Sequence, residues 1–147
     1  MASYQLSSDQ KINLFKIQKK EGLIFHIFSE EAGHNKFIVI VGISKDQFLM
    51  GYVFINSIIN TKISNTPELQ KLHLRIRAAD YPFLDYDSYI GCNGLFEISY
   101  QTIEDIVSDK ANDYKGVLSE QDLVAMQALI KDAPGITNKL KKKYGYK

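Results

Sequence analysis

The chain has 147 residues, 45% of them hydrophobic and 24% charged, with three histidines, one cysteine and a formal net charge of +1. That is one domain's worth of chain with apolar mass for a single core; the lone Cys92 excludes an intrachain disulfide and argues against a structural zinc site, which draws four ligands from Cys and His. No apolar run reaches the roughly 18 residues that cross a bilayer, and MASYQLSSDQ has neither a basic nor an apolar leader region, so no membrane contact and a cytoplasmic, reducing setting are expected.

Residues 1–20 read as a polar N-terminal extension with helical potential, and GLIFHIFSE at 22–30 as the first strand. After the polar loop EEAGHNK, the run FIVIVGI at 37–43 is too uniformly apolar for a strand with one wet face. It is expected to be central, buried on both sides, with a dimer contact as one candidate cover. FLMGYVFIN at 48–56 is a third strand with Gly51 as its expected bulge or bend. Residues 57–71 form a long polar connection with room for one helical turn. In LHLRIRA at 72–78 the apolar Leu72, Leu74 and Ile76 alternate with His73, Arg75 and Arg77, the pattern of a half-exposed strand. ADYPFLDYD is an extended loop, since Pro82 biases its predecessor away from helix, and SYIGCN at 88–93 is a fifth strand. A short helix follows at 99–109 with Ser99 as N-cap, then a clearer one that Ser119 caps and Asp122 completes in box-like fashion, with Leu123, Met126, Leu129 and Ile130 as its stripe. Pro134 and Gly135 end it, and 132–147 is a basic segment with one more short helix and little to hold its last residues. The fold class expected is mainly β with C-terminal helices, a small curved barrel over 21–131.

Charge is unevenly spread. Residues 21–135 hold nine Lys or Arg against sixteen Asp or Glu, so the middle is acidic and the positive charge lies at the two ends. A nucleic acid would meet those ends or a local groove; for the C-terminal cluster a solvated tail is the competing reading.

The stretches HNKFIVIV at 34–41, FINS at 54–57 and ADYPFLDYDSYIGC at 79–92, with the closing GVLSEQDLVAMQALI at 116–130, resemble the MazF/PemK-like toxin superfamily in order and content over about residues 21–131. The resemblance implies an SH3-like barrel, usually a homodimer, acting as a metal-independent endoribonuclease on single-stranded RNA and neutralised by a cognate antitoxin protein. In the family's best-studied branch, the strand after the serine carries a functional Arg, a Cys and a functional Asp. Ser88-Tyr89-Ile90-Gly91-Cys92-Asn93 has Gly91 and Asn93 at those two positions. Glycine supplies no cation, and asparagine has no exchangeable proton near neutral pH. An Arg-Pro pair of the family stands here as Lys36-Phe37, and a Ser or Thr at the end of the third strand is kept as Ser57.

Cleavage through the RNA 2′-hydroxyl needs a base, a cation facing the phosphorane and an acid for the leaving 5′-oxygen, and no metal or cofactor is required. The catalytic candidates are therefore His34, Lys36, Ser57 and His73, with Arg75, Arg77 and Asn93 as RNA contacts. Each has a plainer alternative: His34 as a surface-loop histidine, Lys36 as a solvated strand-start lysine, Ser57 as a turn serine, and the 73–77 row as a wet face paired with nearby acids. His26, Ser88 and Tyr89 are expected to be structural. No Gly-x-Ser-x-Gly elbow or phosphate-binding glycine loop is present. Two functions remain open: a ribonuclease toxin with a rebuilt site, or an inactive barrel that binds RNA or protein.

Overall fold

The computed structural model describes residues 6–30, 32–110 and 113–147. Among them, β1 (Leu23–Ser29), β2 (His34–Ile43), β3 (Leu49–Asn56), β4 (His73–Ile76), β5 (Ser88–Gly91), β6 (Phe96–Ser99) and β7 (Tyr114–Val117) form one antiparallel sheet. The spatial order is β4-β5-β3-β2-β1-β7, and β6 joins the flank of β3 beside β5. The path ends at β4 and β7, so the sheet is a curved, open half-barrel of the generic SH3-like kind with C-terminal helices.

The β1–β2 hairpin runs from Ile24 opposite Val39 to Ser29 opposite His34, with Gly33 in the left-handed region (φ +74°) closing it. The polar loop is accordingly shorter than its composition indicates. Ladder hydrogen bonds carry the strand beyond the core, so His34 and Lys36 are strand residues. Ile38 to Val41 are fully buried, as a central strand requires, but both covers come from this chain. One is α1 (Ser8–Ile17) and α3 (Tyr100–Asp109), whose Phe15, Ile103 and Ile106 pack on Leu23, Phe25, Ile38, Ile40 and Met50. The other is α4 (Glu120–Asp132), whose Leu123, Met126 and Ile130 pack with Ile24, Val39, Val53, Ile55 and Ile90. The apolar centre of β2 is thus covered without a second copy. Each such fully buried side chain contributes about 1.5–3 kcal/mol.

The bulge sits on β2. The register shifts between Ile40 and Gly42, leaving Val41 as the extra residue and setting Gly42 against Gly51. Both glycines open one site: a Cβ on either would lie 3.2 Å from Tyr144. Tyr144 follows α5 (Asn138–Lys143) and is 6% exposed. Its hydroxyl donates to Glu97 Oε2 at 2.7 Å, Lys143 pairs with the same carboxylate at 2.6 Å, and Tyr146 Oη donates to the Val41 carbonyl at 2.7 Å. The C-terminal segment, which by sequence had little to hold it, is thus clamped across the bulge.

The helix ends follow their capping residues. Ser7 and Gln10 form a capping box on α1, and the Lys20 ammonium closes its other end on the carbonyls of Phe15 and Gln18. Ser99 caps α3 and Ser119 caps α4, each accepting from the N–H three residues on. At α4 the reciprocal half of the box is replaced: the Ser119 N–H donates to Tyr81 Oη at 3.1 Å, and Tyr81 donates to Asp122 at 2.5 Å. This ties the loop before β5 to the closing helix. The long 57–71 connection contains the expected helical turn, α2 (Pro67–Gln70), capped by Thr66.

Candidate functional site

His34 and Lys36 lie two residues apart on one face of β2, roughly 7 Å along the strand. The ammonium of Lys36 donates to Asn56 Oδ1 at 2.5 Å and lies 5.6 Å from the centre of the Phe54 ring. Half-burial holds its pKa below the ordinary lysine value. Ser57 follows Asn56 at the end of β3. A pocket of about 210 Å³ is lined by His34, Lys36, Asn56 and Ser57 together with Phe37, Phe83 and Tyr86. Its aromatic floor is a stack: Phe37 is 4.6 Å from His26 and 4.9 Å from Phe83, centre to centre. The same four polar residues also line an adjoining cleft of about 720 Å³, walled by residues 58–64 and by His73. All four catalytic candidates therefore border one continuous groove.

Their states differ. His34 is exposed, and its Nδ1 lies 2.9 Å from the Asn35 carbonyl. A carbonyl only accepts, so Nδ1 carries the proton and Nε2 of the neutral ring is left with its lone pair. His73 pairs through Nε2 with Ser64 Oγ at 2.9 Å, while Gln70 holds the Ser64 carbonyl at 3.1 Å. Burial pushes the His73 pKa down, and its Nδ1 is buried without a partner. His73 thus fixes the cleft wall as a neutral ring.

The RNA-contact candidates are dispersed. Arg75 is exposed and paired with Asp87 at 2.6 Å. Asp87 also accepts the Ala78 N–H at 2.8 Å, which, with Arg75, keeps its carboxyl below the usual range. Arg77 is exposed beyond the end of β4. Asn93 lies in the turn after β5, and its Oδ1 accepts the Gly135 N–H at 2.7 Å, fastening the connection between α4 and α5. It does not line the groove. Gly91 does face the site: a Cβ there would be 3.2 Å from Asn56 Nδ2 and 3.8 Å from His73 Nδ1.

Two residues carry no functional expectation from sequence: Asn56, and Tyr89, which is expected to be structural. Asn56 stands opposite Tyr89, which stands opposite Arg75, so a row crosses β3, β5 and β4 on one sheet face, with Lys36 bonded to its near end. A polar residue at the terminal, even-numbered position of FLMGYVFIN was the available signal for Asn56. For Tyr89 there was none, because facing depends on register. Cys92 is fully buried with its thiol pushed up to about 12, which leaves it unreactive. Among the described residues, no group of three or more His, Cys, Asp or Glu is placed to hold a metal ion, and no helix is long and apolar enough to cross a membrane.

Fold and groove together define an open SH3-like half-barrel with a polar, aromatic-floored groove at one end of the sheet. In comparisons with known proteins, the chain matches no family model and none of the curated proteins.

Proposed function

We propose that the groove binds single-stranded RNA and cleaves it without a metal, in the manner of the MazF/PemK-like toxins that the sequence resembles. The observation carrying this reading is the convergence of His34, Lys36 and Ser57 on one groove from two strands. His34 Nε2 takes the 2′-hydroxyl proton, the 2′-oxygen bonds to phosphorus, and the bond from phosphorus to the 5′-oxygen breaks. Lys36 faces the phosphorane oxygens, and its lowered pKa suits it to return a proton to the leaving 5′-oxygen. Ser57 donates to a non-bridging oxygen. The products are a 2′,3′-cyclic phosphate and a 5′-hydroxyl. An antitoxin would act by laying a segment of its chain in the same groove.

A second reading, an inactive module that binds RNA or protein, is favoured by one observation: His73, Arg75 and Asn93 are all engaged within the fold, with Ser64, Asp87 and Gly135. A long mixed-sequence RNA incubated in EDTA separates the two. Reproducible cuts with cyclic-phosphate ends, lost in His34→Ala, are expected for the ribonuclease; intact RNA at high protein concentration would refute it and leave the binding module.

A further inference from the structure

We propose, resting on the RNA reading above, that Asn56 and Tyr89 read one base and select for a keto oxygen, as in uracil or guanine, over an amino group. The argument begins with Lys36. An ammonium has only donors, so its 2.5 Å contact fixes the Asn56 amide with Oδ1 toward Lys36 and Nδ2 on the far side. Among the described residues Nδ2 makes no hydrogen bond, and the buried unpartnered side-chain atom is His73 Nδ1, so Nδ2 remains open to solvent. It lies over Gly91, where a Cβ would approach to 3.2 Å, so the missing side chain leaves room for the amide. Asn56 is therefore a donor-only head.

Tyr89 stands directly opposite Asn56 in the β3–β5 register. Facing side chains of an antiparallel pair have Cβ atoms about 5 Å apart, the reach from the middle of a stacked base to its edge. Half-buried, and with no hydrogen bond on its hydroxyl among the described residues, the Tyr89 ring offers a platform for any base. The amide beside it then discriminates: O4 of uracil or O6 of guanine accepts from Nδ2, whereas N4 of cytosine or N6 of adenine presents hydrogens to hydrogens. Asp in place of Asn56 keeps one oxygen for Lys36 and turns an acceptor toward the base, which inverts the preference.

The test is fluorescence anisotropy with labelled 2′-O-methyl octanucleotides of uridine and of cytidine, which bind but cannot be cut. Wild-type protein should bind the uridine oligomer about tenfold tighter, the ratio worth one hydrogen bond. Asn56→Ala should bring the ratio near one, Asn56→Asp should favour the cytidine oligomer, and Tyr89→Leu should weaken both about equally. Equal affinities in the wild type, or a uridine preference that survives Asn56→Asp, would overturn the assignment of Asn56 while leaving RNA binding in place. Failure of both oligomers to bind would overturn the RNA reading and this inference with it.

Discussion

Replacing Lys36 by methionine keeps most of the apolar stem of the side chain and removes the ammonium, with its charge and its hydrogen-bond donors, which makes it the sharpest perturbation of the groove. Three magnitudes follow from its surroundings. In the proposed catalysis, the ammonium faces the developing phosphorane charge, and losing one such preorganised donor should cost about 100- to 1,000-fold in rate. In binding, one phosphate contact on a single strand contributes a slope of about −0.7 in log K against log salt, so the variant's slope should be shallower by that amount. In stability, the variant relieves the half-buried ammonium of its desolvation and forfeits its bond to Asn56. These oppose each other, so stability should stay within about 1 kcal/mol. The assays are single-turnover cleavage in EDTA, anisotropy across a tenfold range of salt, and urea unfolding. Because its pKa is lowered, Lys36 loses its proton before an ordinary lysine would as pH rises. Activity should therefore decline at a pH below about 10.4, and Lys36→Arg should carry whatever activity it retains to higher pH. A Lys36→Met protein that is folded and keeps both the wild-type rate and the wild-type salt slope would refute the role given to this residue.

Tyr144→Ala should cost about 3–5 kcal/mol, because the buried ring fills the space over Gly42 and Gly51; Tyr144→Phe, which loses only the bond to Glu97, should cost about 1 kcal/mol in urea unfolding. Asn93→Ala should lower stability by about 1 kcal/mol and leave RNA affinity unchanged, since Asn93 serves Gly135 and does not line the groove; Gly135→Ala should cost more, as its Cβ would sit 2.3 Å from the Asn93 carbonyl oxygen. His73, neutral in the fold, binds its proton more weakly there than in the unfolded chain. Its contribution is fully present above the ordinary histidine value of about 6.5 and is lost as pH falls from there toward the lowered folded value. His73→Gln should flatten the pH dependence of unfolding in that window.

Burial pattern and capping chemistry were legible because both are local. The apolar run 37–43, the alternation at 72–78, and Ser99 and Ser119 before their helices were all readable from neighbours within a few residues. Strands β6 and β7 were not, since FEIS and YKGV are four-residue segments whose only reason to be extended is the ladder they complete on β3 and β1. Gly51 was read as the bulge because bulges favour glycine, yet the extra residue is Val41 across the ladder, and Gly51 is small because Tyr144 rests on it. The second cover of the apolar centre of β2, for which a dimer contact is one candidate by sequence, is supplied by α4, a helix far along the same chain. The site followed the same division. His34 and Lys36, which the sequence puts in the polar loop before the strand, converge with Ser57 because the β1–β2 hairpin continues past the core and sets the start of β2 beside the end of β3. The environments of Arg75, Asn93 and His73 depend on Asp87, Gly135 and Ser64, partners that no spacing rule selects.

At position 91, where the family that the sequence resembles has an arginine, the glycine has a steric reason. Asn56 Nδ2 occupies the space a side chain on Gly91 would enter, and Lys36 holds Asn56 there. A glycine on β5 and a lysine-anchored asparagine on β3 therefore fit together in one place. Under the proposed function, the proton acceptor His34 and the cation Lys36 lie on one face of one strand and share its backbone. Spacing between them is then set by the pleat of β2, whose central residues are buried on both faces and give it little freedom to move. The proposed chemistry thus rests on the strand that the core holds most firmly, while the proposed recognition rests on Asn56 in the groove lining and on Tyr89 beside it, whose strands β3 and β5 meet at two residue pairs.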